Sequence, residues 1–589
     1  MHIKQLSTIS LIILHAFTII PLSFFLLVYA KGILYQLIAF GLLTFLGFNI
    51  YRAIRNLKLF HLPILILFLG SFYLYSFYGL GTIQVPQTFK TLKNGESVTR
   101  FTFPKDTKID KICYYVGIDK DVNFVLEAML QGKWKKFYTY EKSYPFSFRW
   151  KCIPYNITTS QVLLRITKNE MMLNELRFFK DNKSIEYSTN VKFINDEQDT
   201  KIDTSYYGSM FFDEIYFGRT AYEIMHDINV YENTHPYLGK LLIIPGIKIF
   251  GMTPFGWRFM NVLFAGLLIF MAYYFALHLF KEYLYAFGTA FLMTYSFMHL
   301  AQARIGLIDT FGVLFVFISY FYLYRFIVKQ QLSRLLVSGI FFGLAAAVKW
   351  SAVFSALGFV LIALYLLISK YPLQKHFAGI KLLGYGVLSY GIIALSVYTL
   401  SFFDIYAHTG SFQSIINYNT NMYNYHSTLQ ATHPYSSSWW AWPLDLKPMG
   451  YYKELKNGML SSINAFGNPA IFWLGIVSIF YLLFASIKHK SLEATFILLA
   501  FIGLYVPYIF VGRLMFIYHF YYAIPFLMLA IIYMFRDGIQ KFRFIRYIFG
   551  GYLFVVVGLF MAFYPVLSGY SIENMYVNHW LRWISTWWF

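Results

Sequence analysis

Charged side chains are scarce in this chain. They make up 13% of 589 residues, and only 28 of them are acidic. Hydrophobic residues make up 58% and aromatic residues 22%, so a water-facing shell over one core is excluded and a polytopic membrane protein is implied. Cysteine is nearly absent. The two that exist, Cys113 and Cys152, lie in the one large polar segment, which rules out a disulfide-dense scaffold. They form either a disulfide, if that segment faces an oxidising compartment, or a buried reduced pair. No P-loop, no Gly-x-Gly-x-x-Gly before a strand and no zinc-spaced Cys/His cluster is found, which argues against a soluble nucleotide-sugar enzyme. Internal repeats and low-complexity segments are also missing.

What remains is apolar helix. Runs of spanning length fall near 7–30, 33–51, 59–81, 256–279, 284–302, 306–326, 334–349, 351–369, 380–403, 468–486, 492–511, 514–535 and 545–567. That gives about thirteen spans by the twenty-residue criterion. The first run has no small-residue cleavage site and reads as a retained helix. Lys and Arg number 49, for a formal charge of +21. They collect in alternate short loops: Arg52, Arg55 and Lys58; Lys281; Arg325, Lys329 and Arg334; Lys370, Lys375 and Lys381; Lys488 and Lys490; Arg536, Lys541, Arg543 and Arg546. This is the positive-inside pattern, so the charge points to topology and anionic lipid headgroups and not to nucleic acid. It puts the N-terminus in the cytoplasm and both long polar loops outside. The C-terminal tail, with Trp580, Trp583, Trp587 and Trp588, also falls outside and fits an interfacial anchor.

The expected organisation is N-terminal transmembrane helices in 1–83, a polar domain in 84–200 and a first outer loop with interfacial helices in 201–255. A transmembrane core in 256–403, a second outer loop in 404–466, further spans in 467–567 and a Trp-rich tail in 568–589 follow. Within 84–200, short aromatic or β-branched runs such as 99–103, 112–116, 123–127, 146–150 and 162–166 alternate with Asp, Gly, Pro and Asn, which predicts an antiparallel β-sandwich. Its closing run, 173–179, resembles the last strand of galactose-binding (discoidin-like) domains.

Residues able to carry chemistry gather on the predicted outer face. Asp213 and Glu214 are adjacent carboxylates at the membrane surface. Mutual repulsion and lost solvation should raise one pKa, which suits a general base acting on an alcohol. Their other reading is electrostatic capping of the helix that follows. Arg258, Arg304, Lys349 and Arg513 are cations on the side that the inside bias disfavours, with Asp309 just after Arg304. A lipid phosphate would hold them there, and snorkelling to headgroups is the alternative. His235 precedes Pro236. His433, Tyr435 and Ser436 lead into Trp439, Trp440 and Trp442, whose flat faces suit a pyranose or a membrane interface. His519 lies just inside a span, where a satisfied interhelical hydrogen bond is its other reading.

In this order these segments resemble the protein O-mannosyltransferase family, the dolichyl- or polyprenyl-phosphate-mannose-dependent enzymes of the C-type glycosyltransferase fold. The resemblance rests on Phe212-Asp213-Glu214 with Phe217-Gly218, then His235-Pro236-Tyr237-Leu238-Gly239-Lys240, then Trp257-Arg258. Arg304 with Asp309, Val348-Lys349-Trp350, His433-Pro434-Tyr435-Ser436 with Trp439-Trp440-Ala441-Trp442-Pro443, and Arg513 with Tyr518-His519 continue it. It covers roughly 205–566 and resembles bacterial members, which lack the β-trefoil MIR domain. It departs from the family in the two extra N-terminal helices, in the β domain inserted before Asp213, and in Tyr237 where the family has a second Pro.

The resemblance implies an inverting glycosyltransferase in the cytoplasmic membrane of a prokaryote. It would move mannose or a related hexose from a polyprenyl-phosphate donor to Ser or Thr hydroxyls of a protein or peptide. Asp213 would be the base and Glu214 its positioning or acceptor-binding partner. Arg258, Arg304 and Arg513, with Lys349, would hold the phosphate. His235, Asp309, His433, Tyr435, Ser436, Trp439, Trp440, Trp442 and His519 would shape the sugar and acceptor sites. No metal or other cofactor is expected. The same fold acting on a lipid or glycan acceptor is the near alternative, and a lipid-linked-sugar flippase is the distant one, although no inverted repeat with broken midplane helices is seen.

Overall fold

The computed structural model describes residues 61–96, 98–141, 146–369 and 371–589. The runs expected at 7–30 and 33–51 lie outside the described residues, as do Arg52, Arg55, Lys58 and Lys370. Two compact units divide the chain. One comprises residues up to Tyr78 with 232–242 and 260–589, and the other 79–231 with 243–259.

The first unit is helical. Among the described residues of the chain, eight helices are long and apolar enough to cross a membrane: Pro254–Phe280, Asp309–Lys329, Trp350–Ile368, Ile380–Leu400, Pro469–Lys488, Leu492–Phe510, Ile517–Lys541 and Ile545–Ser568. Ile64–Phe77 and Leu332–Val348 are shorter apolar helices. The run read as one span at 284–302 is two helices, Tyr283–Thr294 and Phe297–Ala303. Ser296, in extended backbone, accepts from the His299 N–H and caps the second, so a local hydroxyl cap breaks what hydropathy alone makes continuous.

The segment 404–466 is more ordered than a polar loop. It carries the helices Phe403–Thr409 and Phe412–Thr428 and a hairpin of Met449–Lys456 with Met459–Ala465. The tail adds a third strand, Ile572–Glu573, to that hairpin. Trp587 is fully buried, donates from Nε1 to the Asp445 carbonyl at 2.7 Å and packs on Phe466 and Phe563. Trp580, Trp583 and Trp588 stay exposed, so the predicted anchor is in part a packing element.

In the second unit, Thr99–Leu130 and Arg149–Lys180 are long antiparallel runs bent by register shifts. Residues 111–116 lie between 149–154 and 173–179, while 161–166 lie between 99–102 and 124–128. Alternate side chains of both patches (Phe101, Leu126, Val162 and Leu164 with Ile112, Tyr114, Leu176 and Phe178) enter one core, where Phe101 and Phe178 meet edge to face at 5.3 Å. This period-two burial is what makes a two-layered sheet from short apolar runs. Cys113 and Cys152 are directly opposite in the ladder and form a disulfide. Past the sheet, the Trp150 N–H donates to Ser209 Oγ at 3.2 Å and the Met210 N–H to the Phe148 carbonyl at 3.1 Å. These two bonds pin the chain just before the acid pair.

Candidate active site

The two adjacent carboxylates have separate surroundings. Phe212 takes φ of 49°, a left-handed conformation that is strained for an aromatic residue. The Asp213 carbonyl accepts from the Tyr216 and Phe217 N–H groups and starts the helix Glu214–Met225, but its side chain makes no cap hydrogen bond and is half-buried.

Glu214 is fully buried. Its Oε1 accepts from Arg258 Nε at 2.6 Å, and its Oε2 from Arg258 at 2.7 Å and from Trp257 Nε1 at 3.0 Å. The rest of the Arg258 guanidinium donates to the carbonyls of Leu80, Tyr206 and Ser209 at 2.7, 2.8 and 3.1 Å. Every N–H of Arg258 is engaged, and the residue is 0% exposed. The sequence reading that gave Arg258 to a donor phosphate is thus corrected. Arg258 and Glu214 form a buried bidentate pair that staples the turn carrying Asp213 to the start of the helix Pro254–Phe280. Glu214 is likewise a structural partner and not an acceptor ligand.

Arg304 is corrected in the same way. It donates to the carbonyls of Ser76 and Tyr78 at 2.6 and 2.7 Å and to that of Ser568 at 3.0 Å. These are the orphan carbonyls where the helices His61–Phe77 and Ile545–Ser568 end, so a buried cation caps two negative helix ends. Arg304→Leu is expected to destabilise the protein by about 1–3 kcal/mol, the range for carbonyls left unsatisfied, read as a lower thermal midpoint in detergent.

A cavity of about 580 Å³ lies in the helical unit. It is lined by His235, Lys349, Trp350, His426, Tyr508, Arg513 and His519, among others. Lys349 is paired with Asp309 at 2.9 and 3.1 Å, so Asp309 fixes this cation and does not itself stand in the wall of this cavity. His235 presents Nδ1 to Glu232 at 2.9 Å. Glu232 also accepts from the Thr234 N–H and pairs with the fully buried Lys240, whose Nζ donates to the carbonyls of Glu232 and His235 and to the Tyr418 hydroxyl. Burial opposes ionisation of Glu232, but Lys240 and His235 outweigh it and hold the carboxyl well below its usual range. Burial lowers the pKa of His235 despite that carboxylate. The turn is further fixed by Gly239, where a Cβ would meet Ile308 at 2.7 Å.

A second cleft of about 370 Å³ is lined by 436–440 and by Val511 with 513–515, so Arg513 faces both. Ser436, Trp439 and Trp440 stand in its wall, whereas His433 and Tyr435 line neither cavity. His433 Nδ1 accepts the Tyr435 N–H at 3.2 Å and stabilises a turn. The expected aromatic platform is split. Trp439–Ala441 is a 3₁₀ turn, which rotates successive side chains by about 120°. Trp440 is 53% exposed, while Trp442 is buried, donates to Ser437 Oγ at 3.1 Å and stacks on His519. Sequence reasoning missed Glu232 and His426. Glu232 stands three residues before His235, a spacing that could have drawn attention; His426 gave no comparable signal.

Helices long and apolar enough to cross a membrane thus surround a cavity lined by cations and imidazoles. The S. cerevisiae protein O-mannosyltransferase Pmt1-Pmt2 complex, solved bound to the sugar donor, has this fold. It matches with a TM-score of 0.58 at 12% identity, over 64% of this chain and 89% of that one. Residues 234–400 match the family model for dolichyl-phosphate-mannose-protein mannosyltransferase, and 411–587 match that for the C-terminal four-transmembrane region of protein O-mannosyltransferase. The polyprenol-phosphate-mannose–protein mannosyltransferase of Corynebacterium glutamicum is 26% identical over 60% of this chain and 81% of its own length. That of Mycobacterium tuberculosis is 23% identical over 64% and 87%. The chain belongs to the protein O-mannosyltransferase family.

Proposed function

We propose that this protein transfers mannose from a polyprenyl-phosphate carrier to Ser or Thr hydroxyls of protein acceptors, at the outer face of a prokaryotic cytoplasmic membrane, with inversion at the sugar. Family membership supports the donor and the reaction. The observation that carries the reading to this chain is the cavity walled by Lys349, Arg513, His235 and His519 with the flat faces of Trp350 and Tyr508. The loop charges support the orientation, with 201–255, 404–466 and the tail outside and the N-terminus inside.

Roles are assigned residue by residue. Asp213 takes the proton of the acceptor hydroxyl as its oxygen attacks the anomeric carbon, and the bond from that carbon to the phosphate oxygen breaks. The departing phosphate is stabilised by Arg513, with Lys349 as the second cation. Among the described residues Arg513 makes one side-chain hydrogen bond, and its remaining N–H groups suit a phosphate, unlike those of Arg258 and Arg304. Side-chain cations supply the charge a leaving phosphate needs, so no cofactor enters the proposal. His235, His519 and Trp350 contact the hexose, and the cleft of Ser436, Trp439 and Trp440 receives the acceptor.

The test is transfer of radiolabelled mannose from polyprenyl-phosphate-mannose by the purified protein, with Ser/Thr peptides and glycolipids offered separately. Label in peptide, lost by about 10²–10³-fold in Arg513→Ala, is expected. Label in the glycolipid alone would replace the acceptor, and no release of mannose from the carrier would remove the reading.

A further inference from the structure

His426 sits on the helix Phe412–Thr428, in a segment whose sequence gave it no role. Its Nε2 is 2.7 Å from the Thr234 carbonyl and its Nδ1 is 2.8 Å from a terminal nitrogen of Arg513. A carbonyl can only accept and a guanidinium can only donate. The two contacts therefore fix the tautomer: Nε2 carries the hydrogen and Nδ1 offers its lone pair to Arg513. The ring is neutral in this arrangement, since an imidazolium would aim N–H at N–H.

The geometry points to His426 as a positioning residue that holds Arg513 in register for a lipid-linked phosphate by accepting one of its hydrogen bonds. The inference rests on the functional reading above and deepens it. A carboxylate in the same place would hold Arg513 more tightly but cancel its charge. A neutral acceptor orients the guanidinium and leaves the full positive charge for the ligand. The Thr234 carbonyl ties the ring to the turn of His235 and Glu232, so three segments distant in sequence, 232–240, 412–428 and 511–515, meet through one imidazole. Trp350 and Tyr425 pack against its ring, and His235 meets it edge to face at 5.5 Å.

The groups facing His426 favour the neutral form. Burial, then the positive charges of Arg513, His235 and Lys349, bring its pKa down to about 4, while the bond to the Thr234 carbonyl opposes this. Glu232, the nearby carboxylate, is paired with His235 and Lys240. The sign follows: the folded pKa lies below the ordinary histidine value, so the arrangement is intact above about pH 6.5 and is lost as pH falls through about 4.

The imidazole can be dissected by isosteres. Asn places an oxygen near the Nδ1 position and can still accept from Arg513, whereas Gln places an amide nitrogen near Nε2 and can only replace the bond to Thr234. Binding of polyprenyl phosphate and the donor KM and kcat would be measured for the purified wild type, His426→Asn, His426→Gln and His426→Phe, with the thermal midpoint of each as a fold check. We expect Asn to stay within about threefold of wild type in KM and phosphate binding. Gln and Phe should raise KM by about tenfold or more with a smaller change in kcat. The wild-type KM should climb as pH drops toward 4, and that of the Asn variant should not. Rescue by Gln instead of Asn would make His426 a structural tie to Thr234 and overturn the proposal, as would equal KM values for Asn and Phe. Should Phe fail to fold, the Asn and Gln pair decides alone. A wild type that binds no polyprenyl phosphate and transfers no mannose would sink the functional reading and this inference together, which is a different result from equal variants of an active enzyme.

Discussion

Asp213→Asn is expected to lower mannosyl transfer by about 10²–10⁴-fold, the usual contribution of a general base, with the thermal midpoint within a few degrees of wild type. The amide is isosteric but cannot take the acceptor proton. The fold should survive because the Asp213 carbonyl, not its side chain, starts the helix Glu214–Met225. Its neighbour Glu214 and the chain before it, tied down at Ser209 and Met210, are unaffected. Initial rates with saturating donor and peptide, alongside a thermal melt, check both halves. Wild-type rates in the variant would remove Asp213 from the chemistry, and loss of the melting transition would make it a structural residue.

The second large effect concerns stability. Glu214→Ala should cost about 3–5 kcal/mol, because it strands a guanidinium at a site with 0% exposure. A protein that melts early or fails to accumulate in membranes is the expected readout. Glu214→Gln keeps one accepting oxygen but turns an amide N–H₂ toward a donor on the other side, so it should lose less than Ala yet still melt below wild type. Combining Glu214→Met with Arg258→Leu should recover part of the loss of either single change, since a buried pair can be replaced by apolar groups more cheaply than broken. If Arg258→Leu alone left the melt unchanged and only weakened donor binding, the stapling role would be wrong and the phosphate role would return.

The contrast between neighbours Asp213 and Glu214 marks the limit of the sequence. Hydropathy located the helices because spanning length and composition are local properties, and Ile545–Ser568 or Pro469–Lys488 match the predicted runs within a few residues. The sheet was legible for the same reason, from alternation in 99–103 and 162–166. Partner choice is not local. Arg258, Arg304 and Arg513 look equivalent in the sequence, each an arginine on the disfavoured side. What separates them is how many of their N–H groups the fold already satisfies: every one for Arg258, helix-end carbonyls for Arg304, and one imidazole for Arg513. The Ser296 cap could have been weighed, since a serine before Phe297 is a local signal. The role of His426 could not, because it depends on two atoms supplied by segments far away in the chain.

The bond between Cys113 and Cys152 has a bearing on biogenesis. With the sheet on the outer face, where the loop charges put it, apolar helices enter the bilayer as they leave the ribosome, but the cross-link closes only after export to a space with a thiol oxidant. Maturation is then a two-stage affair, insertion first and oxidation later. Cells deprived of their disulfide-forming machinery should accumulate a membrane-embedded precursor with two free thiols, which an alkylating mass tag added under denaturing conditions would count on a gel.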